Sequence, residues 1–146
     1  MSHPSPADIE LASDLVVQAA RLVRAVRREL ELPAPSRILS LLDETGPVGI
    51  TRLAELDRCS QPTMSNAVTQ LVERGWATKA PNPEDARSSV VTLADAGRDE
   101  LQRVRALNGE RVATLLAGTH TSEEVATAVA VLRDVLAASN TQKGTS

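Results

Sequence analysis

The side chains best suited to chemistry lie in the run SQPTMSNAVT, Ser60 to Thr69. With Ser60 as an N-cap, Gln61, Ser65 and Thr69 recur at steps of four, Asn66 lies beside them, and Thr63 sits in the first turn. One helix face therefore carries short, uncharged donors and acceptors, where an ordinary solvated face is rich in Lys and Glu. Asn66 and Gln61 can each pair bidentately with adenine, and Thr63, Ser65 and Thr69 can donate to bases or phosphates, which is the chemistry of major-groove reading. The competing reading is a polar surface helix with no partner.

Other chemistries fare poorly. No Ser-His-Asp set, catalytic carboxylate pair or Gly-rich phosphate loop can be assembled, so an enzyme is not expected. His3 and His120 are isolated from each other and from other ligands, and neither a metal nor a cofactor is expected. Cys59 is the single cysteine, which excludes an internal disulfide and a cysteine metal cluster.

The elements that must position the polar face can be read in order. Ser5-Pro6-Ala7-Asp8 is a helix start, and Leu11, Leu15, Ala19, Leu22, Val26 and Leu30 form an apolar stripe behind it. Arg21, Arg24, Arg27 and Arg28 crowd its second half, as a solvated face or as phosphate contacts. Leu32-Pro33-Ala34-Pro35 breaks that helix. Ser36 is expected to cap a short helix with Ile38, Leu39, Leu41 and Leu42 inward, ended by Gly46-Pro47. Thr51 is expected to cap the next, through Arg58, with Leu53, Ala54 and Leu56 inward. A helix from Gln61 to Arg74 follows, with Met64, Val68, Leu71 and Val72 as its buried stripe and Gly75 as its stop. Trp76–Ala80 and Ser89–Leu93 read as strands joined by an exposed loop, Pro81 to Arg87. A long helix runs from Asp95 to Leu116, and Thr121-Ser122-Glu123-Glu124 is a capping box opening a last helix. The tail from Asn140 to Ser146 reads as loose.

A chain of 146 residues with 42% hydrophobic content suits one domain, 1–146, with a real core. Trp76 is its only aromatic residue, so that core must be Leu, Val and Ala packed between helices. No run is long and apolar enough for a membrane span and MSHPSPADIE has no signal-peptide core, so a cytoplasmic protein without membrane contact is expected. The net charge of −3 counts against nucleic acid as a partner. From Thr51 to Thr92, Arg52, Arg58, Arg74, Lys79 and Arg87 are cancelled by Glu55, Asp57, Glu73, Glu84 and Asp85.

The order of elements resembles the MarR family of bacterial transcription regulators along nearly the whole chain. The resemblance is sharpest from SQPTMSNAVTQLVERGW to DARSSVVTL and the Ala-Gly step after it. Ser60, Thr63 and Ser65 match the opening of the family's recognition helix, and Leu71 and Gly75 its close. Asp85 and Arg87 match the Asp-x-Arg of its wing, and Leu93 and Gly97 its Leu-Thr-x-x-Gly. Ala94 departs from that pattern where the family has a helix-capping Thr, a role Asp95 is expected to take.

The resemblance implies a mainly α fold with a small β-hairpin wing: a winged helix-turn-helix lobe, 36–94, plus a helical dimerisation region, 6–32 and 95–139. It implies that Arg87 enters a minor groove with Asp85 orienting its guanidinium. Ser60 belongs to the same DNA-contacting set, and Ser36, Arg52, Lys79 and Ser88 are candidate phosphate contacts. Leu11, Leu15, Leu22, Leu115, Val125, Val129, Leu132 and Leu136 would interdigitate with a second copy. The expected function is sequence-specific binding of a palindromic operator in double-stranded DNA by a homodimeric repressor, with release by a small-molecule effector. The competing function is a winged-helix protein-interaction module that does not bind DNA, which the balanced central charge favours. Some relatives sense oxidants through cysteine, but Cys59 occupies a slot where such lobes bury a small apolar residue, and core packing is expected of it.

Overall fold

The computed structural model describes residues 3–33 and 35–143. In chain order these form α1 (Pro6–Glu29), α2 (Ser36–Thr45), β1 (Val48–Gly49), α3 (Ile50–Asp57), α4 (Gln61–Glu73), β2 (Ala77–Pro81), β3 (Ser89–Leu93), α5 (Asp95–Leu116) and α6 (Ser122–Lys143). The expected mainly helical fold with a small wing is what forms. Two compact units divide the chain, residues 1–107 and 108–146.

In the first unit, α1 starts as its sequence dictates: Ser5 Oγ accepts the Asp8 N–H at 3.2 Å, and the Asp8 carboxylate accepts the Ser5 N–H at 3.0 Å. α1 stops at Glu29, before Pro33 and Pro35; Ala34 lies outside the described residues. Three caps differ from expectation. Pro35 is the N-cap of α2, and Ser36 is already inside the turn, its N–H bonded to the Pro33 carbonyl at 2.9 Å. Gly49 is the N-cap of α3, so Thr51 is the second helical residue and caps nothing; pairing of Val48 and Gly49 with β3 holds Gly49 extended. Asp95 lies within the first turn of α5, and its carboxylate pairs with Arg98 at 2.8 Å.

Strands pair antiparallel in the order β1-β3-β2, with Ala77 opposite Leu93 and Lys79 and Val48 both opposite Val91. β1 has no counterpart in the sequence reading: two residues are too few for a period-two pattern. The core is aliphatic throughout. Ile38, Leu39 and Leu42 of α2, Leu53 of α3, Met64, Val68 and Leu71 of α4, and Val91 of β3 are all fully buried. Val72, expected inward, is exposed, because the Met64-Val68-Leu71 stripe puts it one helical step past the core face. α5 docks by its first turn. Gly97 lies so close to the Trp76 carbonyl that a Cβ there would sit 2.0 Å from the oxygen.

In the second unit, the Thr121–Glu124 box forms as expected, with Thr121 N–H to Glu124 Oε2 at 3.0 Å and Glu124 N–H to Thr121 Oγ1 at 3.1 Å. α6 extends past Asn140 to Lys143, because no Gly or Pro interrupts it and Thr141 returns its hydroxyl to the Ala137 carbonyl at 3.0 Å. The rest of the expected loose tail, 144–146, lies outside the described residues. Among the described residues, the large apolar side chains left exposed lie on α1, α5 and α6, apart from Val72. Leu11 is 72% exposed and Leu136 is 64% exposed.

Candidate nucleic-acid interface

The polar face is built by the cap and the core stripe of α4 together. Ser60 Oγ accepts the Thr63 N–H at 3.2 Å and lies 2.8 Å from Thr63 Oγ1, which starts the helix at Gln61. Burial of Met64, Val68 and Leu71 then fixes its rotation, so Gln61, Thr63, Asn66 and Thr69 are exposed and Ser65 half-buried. The Asn66 carboxamide makes no hydrogen bond among the described residues, which leaves a donor and an acceptor for a base edge. Gln61 Nε2 donates to Thr51 Oγ1 at 3.1 Å, tying the start of the reading face to α3. Thr69 is partly committed: its hydroxyl donates to the Ser65 carbonyl at 3.0 Å and keeps only acceptor capacity.

Beside this face an open groove of about 810 Å³ runs between the starts of α3 and α4 and the wing. Gln61, Ser65, Arg52, Lys79, Arg87 and Ser88 line it, with Thr51 among the rest. Its charged lining is Arg52, Lys79 and Arg87 against Glu55 alone. Arg52 meets Glu55 at 3.1 Å with both side chains about 60% exposed, a pairing that solvent makes weak. The balanced charge of the sequence is thus separated in space. Asp57 lies outside the groove lining, in a forked bond to Arg37: Nη2 to Oδ2 at 2.8 Å and Nε to Oδ1 at 3.1 Å. The Arg37 hydrogen bonds hold the Asp57 carboxyl below the usual carboxylate range. This link between α2 and α3 spans 20 positions, and no local pattern in the sequence announces it.

The wing departs from expectation at Asp85. Its Oδ1 accepts the main-chain N–H of Arg87 at 3.0 Å, and among the described residues no ion pair joins Asp85 to the Arg87 guanidinium. Arg87 therefore lines the groove without an ion pair to Asp85. Ser36 is also corrected: its Oγ is buried without a partner, out of reach of a phosphate. Cys59 packs at the edge of the core as expected, where loss of hydration and then the Asp57 side chain push its thiol pKa up, against thiolate chemistry. Among the described residues no His, Cys, Asp and Glu cluster can hold a metal ion, and no helix is long and apolar enough to cross a membrane.

A capped helix-turn-helix with a three-stranded wing defines the class: a winged helix-turn-helix protein. The MarR family pattern matches residues 35–89. An HTH-type transcriptional regulator of Mycobacterium bovis is 30% identical over 121 residues, covering 80% of this chain and 84% of the relative. The HTH-type transcriptional repressor IacR of Pseudomonas putida is 26% identical over 84 residues, 57% of this chain and 50% of IacR. Wild-type MarR from E. coli in its apo form superposes with a TM-score of 0.66 at 22% identity, covering 93% of this chain and 99% of that one. A mutant of the same MarR complexed with operator DNA superposes at 0.56 and 23% identity, covering 87% and 91%. The chain belongs to the MarR family of helix-turn-helix transcriptional regulators.

Proposed function

We propose that this regulator binds a palindromic operator as a homodimer and represses the promoter it occupies. The lobe 36–94 carries the DNA-binding face, and the arms 6–32 and 95–139 join the two copies. α4 enters the major groove: Asn66 and Gln61 read base edges, while Ser60, Thr63, Ser65 and Thr69 contact bases or backbone. Arg87 reaches an adjacent minor groove, where negative potential favours a guanidinium without base reading. Lys79, Arg52 and Ser88 contact phosphate. The observation that carries the reading is the groove in which Gln61 and Ser65 face Lys79 and Arg87, a cationic site beside an uncharged reading face.

Dimerisation is supported by the exposed apolar side chains of the arms. Leu11, Leu22, Leu115, Val129, Leu132 and Leu136 are all exposed, and Leu15 and Val125 are half-buried. Two-fold symmetry would present two α4 helices to successive major grooves roughly 34–36 Å apart. Repression is supported by the repressor name of IacR. A small-molecule effector would act by favouring a spacing of the two heads that no longer matches the grooves.

Sedimentation at micromolar concentration and mobility shifts with fragments selected from genomic DNA test this reading. The expected results are a dimer and a shifted fragment whose affinity falls steeply with salt. A monomer, or no shift at low salt, would refute it; the latter would favour a protein-interaction module instead.

A further inference from the structure

A side-chain bond joins the starts of α3 and α4 at the groove. Gln61 Nε2 donates to Thr51 Oγ1 at 3.1 Å across ten positions of sequence, and both residues line the groove. Each partner is placed by its own helix. Thr51 is the second residue of α3, whose start is held by the pairing of Gly49 with Val90 and whose rotation is set by burial of Leu53 and Ala54. Gln61 is the first residue of α4, held by the Ser60 cap and by burial of Met64. A carboxamide has one acceptor oxygen and two N–H donors. Thr51 takes one donor, and Gln61 Oε1 makes no hydrogen bond among the described residues. One acceptor and one donor are left for a ligand.

We infer that Thr51 is a positioning residue that fixes the Gln61 carboxamide so that it selects adenine over guanine. This rests on the DNA role proposed for α4. In the major groove adenine offers its N6 donor and N7 acceptor, which match the free Oε1 and N–H of Gln61. Guanine offers two acceptors, O6 and N7, so Oε1 would face an oxygen with nothing to share. Satisfying both guanine acceptors would take both N–H groups, and Thr51 holds one of them. Without the Thr51 hydroxyl the carboxamide can turn over and present both donors, and the distinction is lost. A glutamine fixed in advance also spares the rotamer entropy that a free side chain gives up on binding.

Fragments that the wild-type full chain selects from genomic DNA are the probe, and the base position whose preference Gln61→Ala erases is the one Gln61 reads. Duplexes carrying adenine or guanine there are then compared. Wild type should favour adenine about tenfold or more. Thr51→Val, of nearly the same shape but without the hydroxyl, should bring the two within about threefold, while Thr51→Ser keeps the wild-type ratio. Thr51→Val combined with Gln61→Ala should discriminate no worse than Gln61→Ala alone, because the two residues act as one unit. A merely structural role for Thr51 would weaken both duplexes equally and leave the ratio intact, which would overturn the inference. So would a wild-type preference for guanine, or Thr51→Ser behaving as Thr51→Val. The Gln61 side-chain amide protons in the free protein, observed by NMR, separate this from failure of the underlying reading. If they report a bond that Thr51→Val removes while Gln61→Ala alters no base preference, the bond stands and base reading by Gln61 falls.

Discussion

Two glycines of α5 should respond to the same substitution with opposite signs. A Cβ at Gly97 would lie 2.0 Å from the Trp76 carbonyl oxygen and 2.9 Å from its carbon, both main-chain atoms that cannot rotate away. It would also meet Leu93 Cδ1 at 2.8 Å. Restoring normal contact requires α5 and the Trp76 main chain to separate by roughly an ångström or more, in a region packed as tightly as a crystal. That movement breaks the 3.0 Å bond from Ala94 N–H to the Trp76 carbonyl. The bond contributes about 1 kcal/mol, and over-packing costs about 1–3 more, so Gly97→Ala should lose about 2–4 kcal/mol. Gly109 meets nothing within 4 Å and its φ is not positive, so Gly109→Ala should instead gain about 0.5–1 kcal/mol of helix propensity. Urea unfolding at one fixed protein concentration measures both, with Trp76, the sole aromatic residue, as the fluorescent reporter beside Gly97. The Gly97→Ala midpoint should fall by about 1–2 M urea. A midpoint matching wild type would show that the close approach is absent in solution, and the docking of α5 argued from it would be wrong.

At the interface, Asn66→Ala should relax sequence preference at one position by about 1–3 kcal/mol, while Arg87→Ala should weaken binding with less effect on preference. Wild-type titrations for both would refute their assigned roles. If the proposed dimer forms through the arms, Leu132→Glu should yield a monomer and abolish the shifted complex, as sedimentation and mobility shift would register. The Arg37–Asp57 link predicts a pH signature. The folded-state pKa of Asp57 is depressed, so its stabilisation is present above the unfolded value of about 3.9 and disappears as pH falls through the folded value. Partial exposure of Arg37 limits the contribution to about 1–2 kcal/mol. The stability gap between wild type and Asp57→Asn should therefore be constant from pH 5 to 8 and close at lower pH; a gap that widens on acidification would contradict the geometry.

Residues acting on near neighbours were legible from the chain alone. Ser5 with Asp8, Ser60 with Thr63, and Thr121 with Glu124 form their caps as read, and α5 begins and ends at the expected residues. Such bonds reach three positions along the backbone, so their geometry is contained in the local sequence. Where a distant segment held the backbone, local reading failed. β1 formed by pairing with β3 and gave the cap of α3 to Gly49 in place of Thr51.

The polar face of α4 follows from residue types at helical spacing and needed no coordinates. Its setting did not follow. Five cations and five anions cancel when counted along Thr51 to Thr92, and no sum over sequence can say which of them share a surface. Folding pairs Asp57 with Arg37 and draws Arg52, Lys79 and Arg87 around one groove. Periodicity and capping act between neighbours in the chain, whereas electrostatic potential depends on distances through space, which only the packed core sets.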